Sequence, residues 1–206
     1  MNFISGYCKI NAGQVILNDK VILTGEEQAK PDDFLKTAYK QLQLNYPKFY
    51  KMDLLCKLAF LASELLIKSA GIMQKYAAQD IALVLSNSNG SLDTDSRHQQ
   101  TISDSTNYFP SPAIFVYTLP NILIGEIAIR NVIKGENTFF IFPTFDSVFM
   151  TNYSNSLLNT KRAACSIVGW VDVCENKYAA FLYVVERCRG ELEIAHTAEN
   201  AECLFN

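Results

Sequence analysis

Five consecutive apolar residues, Ile81-Ala82-Leu83-Val84-Leu85, stand between Asp80 and the polar stretch Ser86-Asn87-Ser88-Asn89-Gly90-Ser91, and they constrain the fold more than any other segment. A run this short with no polar alternation reads as a strand that must be covered on both faces. The architecture that does so is an α/β sheet with helices on both sides.

The flanking segments agree. Leu54, Leu55, Leu58, Leu61, Ala62, Leu65 and Leu66 recur at helical spacing behind Asp53, which is placed to cap the helix N-terminus, and the pattern stops near Ala70-Gly71. A second helix is expected from Leu92. Upstream, Phe3 to Gly6 and Val15 to Leu23 read as short β segments with a turn at Asn18-Asp19, and a helix is expected from Pro31-Asp32-Asp33-Phe34. Downstream, Pro110, Pro112 and Pro120 mark a loop leading into Ile122 to Arg130, whose spacing suits a largely buried helix ended by Lys134-Gly135. Thr138 to Phe142 reads as another buried strand, residues 149 to 158 as a helix, and Ser166 to Val171 and Ala179 to Val185 as two adjacent closing strands.

With 206 residues, 49% of them hydrophobic, and no repeat or linker, the chain is expected to form one domain over residues 1–206. Its net charge is -3 and its 18 basic residues are scattered, which argues against nucleic acid as a partner. The start carries no basic, apolar and cleavable leader, and no run of about 18 apolar residues occurs, so a cytoplasmic protein without a membrane partner is expected. The six cysteines form no C-x-x-C pair and read mostly as small buried apolar residues. Neither a metal nor a cofactor is expected.

Three blocks, in their order and spacing, resemble the β-ketoacyl synthases, a branch of the thiolase-like superfamily. The first is Lys51-Met52-Asp53 at the start of the amphipathic helix. The second is the strand from Ile81 and its turn through Gly90-Ser91-Leu92, where only Gly90 keeps the family's glycine. The third runs from Ser111-Pro112 through Leu119-Pro120-Asn121 and Gly125-Glu126-Ile127-Ala128-Ile129-Arg130 to Lys134-Gly135-Glu136-Asn137-Thr138. Further on, residues 163–172 resemble the family's strand ending in Gly-Gly-x-Glu, with Trp170 in place of the second glycine, and Tyr178 to Arg187 resembles the strand closing the family's first half.

The resemblance implies a single half of the duplicated thiolase-like fold, with a mixed, mostly parallel sheet and helices on both faces. It covers nearly the whole chain but about the first half of a synthase, whose second half supplies catalytic histidines and a lysine. In the synthases the third block leads into an Ala-Cys step that sets the nucleophile at a helix N-terminus. Here Pro143-Thr144 falls at that step, and no cysteine lies between Cys56 and Cys165. Thr144 has neither a thiol's acidity nor an adjacent base, so no catalytic residue is expected and the chain is not expected to condense acyl groups alone.

What the resemblance implies instead is a non-catalytic subunit like a chain-length factor, paired with a full-length ketosynthase in fatty acid or polyene synthesis and working with acyl carrier protein. The composition resembles the short synthase-like proteins of aryl-polyene and flexirubin-type pigment gene sets. Family subunits pair through the strand before the nucleophile, which places a heterodimer or homodimer interface at Gly125, Asn137, Thr138, Phe139, Phe140, Ile141 and Phe142. Alternatives are an acyltransferase or thioesterase using Thr144 or Cys165, and a carrier-protein binding module.

Other candidates each carry a plainer reading. Asn87, Ser88, Asn89 and Gly90, after a strand and before a helix, suit a nest for the phosphate of a pantetheine arm, or ordinary Ser/Asn capping. Asp93 and Asp95 suit acid/base or metal work, or simply the dipole of the helix they open. His98 and His196 sit in polar sequence and read as surface side chains, and Cys165 sits in a predicted strand. The Phe139 to Phe145 run reads as part core and part dimerising edge strand.

Overall fold

A computed structural model describes residues 1–26, 29–106, 108–187, 192 and 194–206. The chain opens with the strands β1 (Phe3–Asn11), β2 (Gln14–Leu17) and β3 (Lys20–Thr24), followed by the helices α1 (Pro31–Gln41), α2 (Leu54–Ala70) and the short α3 (Ile72–Lys75). Next come β4 (Ile81–Asn87), α4 (Leu92–Gln100), the single turn α5 (Pro112–Phe115), α6 (Ile122–Asn131) and β5 (Asn137–Ile141). The chain continues through α7 (Ser147–Asn159), β6 (Cys165–Cys174), β7 (Lys177–Glu186), β8 (Ile194–Ala195) and α8 (Ala198–Phe205).

The eight strands among the described residues join one sheet in the order β3-β2-β1-β7-β6-β4-β5, with β8 beside the start of β1. The sheet is mixed, as expected, but the balance is the reverse of the expected one. Only β4 pairs in parallel, with β5 and β6; the other five pairings are antiparallel. Strand direction here is set by partners distant in sequence, such as Tyr7 opposite Tyr183, and no local pattern encodes it.

Side-chain alternation divides the core between the two faces. Leu83, Ile167, Leu182 and Val184 turn to the face covered by α1, α2 and α6, together with Leu58, Leu61 and Ile127. Val84, Val168, Phe181 and Tyr183 turn to the face covered by α7 and α8. All seven residues of β4 are buried, which is why its sequence shows no alternation.

Helix α2 starts and stops as its sequence dictates. The Asp53 carboxylate accepts the Cys56 N–H at 2.9 Å and the Thr94 hydroxyl at 2.7 Å, so the cap also ties α4 to α2. Gly71 closes the helix in the left-handed conformation at φ 63°. The Asn18-Asp19 turn forms with φ of 47° and 64°, and the helix expected from Pro31 runs on to Gln41. Gly169 on β6 is required by a close approach: a Cβ there would lie 2.0 Å from the Phe181 carbonyl oxygen.

Two expectations are corrected. Helix α6 ends at Asn131, with Val132 at φ 56°, rather than at Lys134-Gly135. Within it Leu123, Ile124, Glu126 and Ile127 are buried and Ile129, 65% exposed, faces out at the end of the sheet. The strand expected to be buried over Thr138 to Phe142 is an edge strand, β5, whose residues are half-buried or exposed.

Helix α7 buries Met150, Leu157 and Leu158 and exposes Asn152, Ser156 and Asn159. Alongside it, α8 completes the cover of the second face. Phe205 lies 4.8 Å from Phe145, 5.8 Å from Phe181 and 6.4 Å from Trp170 between ring centroids.

His196, expected at the surface, is buried at the start of this cover. Its Nδ1 lies 2.9 Å from Asn155 Oδ1, which also accepts from the Asn2 amide at 2.7 Å, so Nδ1 carries the proton toward Asn155. Burial lowers the His196 pKa from 6.5 to about 4. A base whose folded-state pKa is depressed favours unfolding as it protonates. The contribution is complete above pH 6.5 and is lost as pH falls toward 4, on the order of 3 kcal/mol in all. Urea titrations at pH 7.5 and 4.5 are expected to show this loss, and His196→Gln to flatten the dependence between them.

Candidate functional site

The turn between β5 and α7 holds the position at which the family resemblance set a nucleophile. Thr144 is exposed there, and the helix cap is Asp146, whose carboxylate accepts the Phe149 N–H at 2.8 Å. Neither histidine is its base. The His98 ring packs on Phe115 at 5.3 Å, and the His196 ring sits beside Tyr183 at 5.7 Å.

Cys165 lies inside β6 with no exposed surface, and burial pushes its thiol well above its ordinary pKa. Cys56 is raised by burial as well, and Cys8 to about 12. A buried protonated thiol is a poor nucleophile. Cys174 is half-buried and Cys203 exposed, while Cys188 lies outside the described residues. Brief alkylation of the native protein is therefore expected to label Cys203 first and to spare Cys8, Cys56 and Cys165 until urea is added, as peptide mass spectrometry would read.

The Asn87 to Gly90 loop does form an anion nest, but the chain fills it with its own carboxylate. Asp172 Oδ1 accepts the Asn89 N–H at 3.1 Å and the Ser88 N–H at 3.3 Å; its Oδ2 accepts the Ser88 hydroxyl at 3.0 Å and the Asn89 amide at 2.7 Å. Asn87 closes the turn on Gly90, whose φ is 58°. The pantetheine-phosphate reading of this loop is corrected accordingly, since its donors are already engaged. Sequence reasoning placed Asp172 at the end of a strand but gave it no role, because its partners lie more than 80 residues upstream.

Asp93 and Asp95 open α4. Asp93 accepts the Glu175 N–H at 3.0 Å, and Asp95 lies 3.2 Å from Ser91 Oγ, whose proton goes to the Thr118 carbonyl at 2.6 Å. Among the described residues no group of three or more His, Cys, Asp or Glu side chains is placed to hold a metal.

The structure does bring the expected interface residues together. Strand β5 pairs with β4 along one side only, in register from Leu83 opposite Asn137 to Asn87 opposite Ile141. Phe140 and Phe142 turn toward α7, where Phe140 lies 4.8 Å from Phe149 and 5.1 Å from Tyr153. On the α6 side, Gly125, Asn137, Phe139 and Ile141 line a shallow groove. Exposed apolar residues surround this edge: Ile141 at 53%, Val148 at 59% and, on α6, Ile129 at 65%.

No family model matches the sequence, and no curated protein is significantly similar to it. Solved structures are similar. The ishigamide ketosynthase/chain length factor superposes over 91% of this chain at a TM-score of 0.68 and 17% identity. The chain has a ketosynthase-like fold. A chain in the complex of the ketosynthase ApeO with its chain length factor ApeC, from Xenorhabdus doucetiae, shares that fold over 99% of this chain (TM-score 0.62, 12% identity). So does a β-ketoacyl synthase from Burkholderia phymatum, over 90% (TM-score 0.60, 12% identity).

Coverage differs from the other side. This chain spans 62% of the ishigamide chain and 58% of the Burkholderia synthase, but 90% of the chain from Xenorhabdus. The ketosynthase-like fold thus also occurs in a chain of nearly this length. No helix among the described residues is long and apolar enough to cross a membrane.

Proposed function

We propose that this chain is a cytoplasmic, non-catalytic ketosynthase-like subunit that pairs through β5 with a full-length ketosynthase and acts as its chain-length factor. The acyl chain it limits is carried on acyl carrier protein in fatty acid or polyene synthesis. The observation that carries the reading is the unguarded edge. Asn137-Thr138-Phe139-Phe140-Ile141 offers free backbone donors and acceptors with no charge and no proline, beside exposed apolar residues on α6 and α7. Edges that remain in water are guarded by charge, proline or a bulge. The opposite edge, β3, begins with Lys20 and carries an irregularity in its pairing with β2.

The emptied chemistry supports the same reading, since Thr144 has no base and Cys165 is sealed in the sheet. Coexpression with a full-length ketosynthase from the same genome, followed by light scattering on a sizing column, tests the proposal. A one-to-one complex, with product chain length that depends on this subunit, is expected. A stable homodimer that ignores the synthase would refute it.

A further inference from the structure

The sheet face covered by α7 and α8 is apolar at Val84, Val168 and Phe181, but one spot on it is polar. Tyr183 of β7 is fully buried there, its ring 5.7 Å from that of His196. Thr151, buried on α7, faces the Tyr183 phenol closely enough for its hydroxyl to oppose the larger upward push that burial gives the phenol's pKa. The His196 ring is fixed from its other side, where Nδ1 donates to Asn155, one turn beyond Thr151 on α7.

Three buried polar atoms of this group have no hydrogen-bond partner among the described residues: Tyr183 OH, Thr151 Oγ1 and His196 Nε2. One such atom in a closed core is costly, and three from three different elements call for a shared partner. With the imidazole proton on Nδ1, Nε2 presents a lone pair, while each hydroxyl can both donate and accept. Burial lowers the pKa of His196 and raises that of Tyr183, so both rings are neutral and the spot offers no charge to an ion. The partner that fits is small, neutral and able to donate and accept at once.

We propose that one ordered water is bound here as a structural ligand, donating to His196 Nε2 and hydrogen-bonded to the hydroxyls of Tyr183 and Thr151. About three hydrogen bonds are usual for a buried water. The water ties the residue just before α8 to α7 and to the middle of the sheet, so the C-terminal cover is keyed to β7 by a polar joint within an apolar layer. None of the three residues lines the β5 groove, and the proposal stands independently of subunit pairing.

Water–protein cross-relaxation in NMR spectra of the full chain at pH 7 is the test. A long-lived water is expected to give cross-peaks to the His196 ring, and Tyr183→Phe and Thr151→Val are each expected to weaken or remove them. Each variant deletes one of the water's three partners, so each thermal midpoint is expected to fall by roughly 2–10 °C. Because both act on the same water, the double variant should lose less than the two single losses added. A dry spot would behave in the opposite way, since deleting an unpaired hydroxyl relieves its desolvation and the Tyr183→Phe midpoint would hold or rise. That result, the absence of a long-lived water at His196 in the parent chain, or cross-peaks that survive unchanged in the double variant would overturn the proposal.

Discussion

Ile141→Lys is expected to lose the proposed ketosynthase partner while keeping the fold of its own chain. Ile141 ends the edge strand with 53% of its surface exposed, and it lines the groove beside Gly125 and Asn137. Its burial against a partner strand contributes apolar area, and a lysine there must either bring an unpaired charge into the joint or hold the strands apart. The loss is set at roughly 100-fold in affinity, on the order of 3 kcal/mol, the size of a central interface residue. Because the side chain makes little of the subunit's own core, the urea midpoint of the isolated variant should stay within about 0.5 kcal/mol of the parent. Sedimentation of coexpressed pairs reads the first effect and circular dichroism the second. Unaltered copurification would mean that β5 is not the joining edge.

The second large effect is expected inside the subunit. At Trp170 the resembled family has glycine, and the structure shows what the indole does instead. It lies 6% exposed on the second sheet face, 6.4 Å from both Phe145 and Phe205, in the aromatic layer under α8. Trp170→Ala removes that filler and loosens the seat of α8. Substitutions of this kind in a closed core cost about 3–5 kcal/mol, or roughly 6–20 °C in midpoint for a chain of this size. Amide exchange in residues 198–205 should rise together with the fall in midpoint. A loss below about 1 kcal/mol would show that α8 is held without the indole.

These two positions mark what the sequence can and cannot say. The strand at Ile81 and the helix behind Asp53 were legible because burial on both faces, helical spacing and a capping carboxylate are local signals that the surroundings reinforce. The edge strand was half legible. Phe139, Phe140 and Ile141 announce apolar contact, but a sequence does not state whether the contact is the chain's own core or another molecule's surface. Pairing direction was misjudged because β1 meets β7 across most of the chain's length.

The candidate site shows the same division. The loop from Asn87 to Gly90 follows a strand as expected, and of the two readings its sequence allowed, nest or Ser/Asn capping, neither named Asp172, which reaches it only through the β4–β6 pairing. His196 looked like a surface residue because its neighbours in sequence are polar; its burial comes from Asn2, Asn155 and Tyr183, contributed by three other parts of the fold. In both cases a side chain's role was fixed by contacts that tertiary structure alone supplies.

Hydrogen exchange of this chain, alone and in complex with the ketosynthase proposed as its partner, tests the central claim most directly. Strand β5 pairs with β4 on one side, so its outward amides should exchange quickly in the free chain. The account predicts that complex formation slows exchange most strongly across residues 137–141, with smaller protection on the exposed side of α6. Protection confined to other surfaces, with residues 137–141 exchanging as they do in the free subunit, would contradict it.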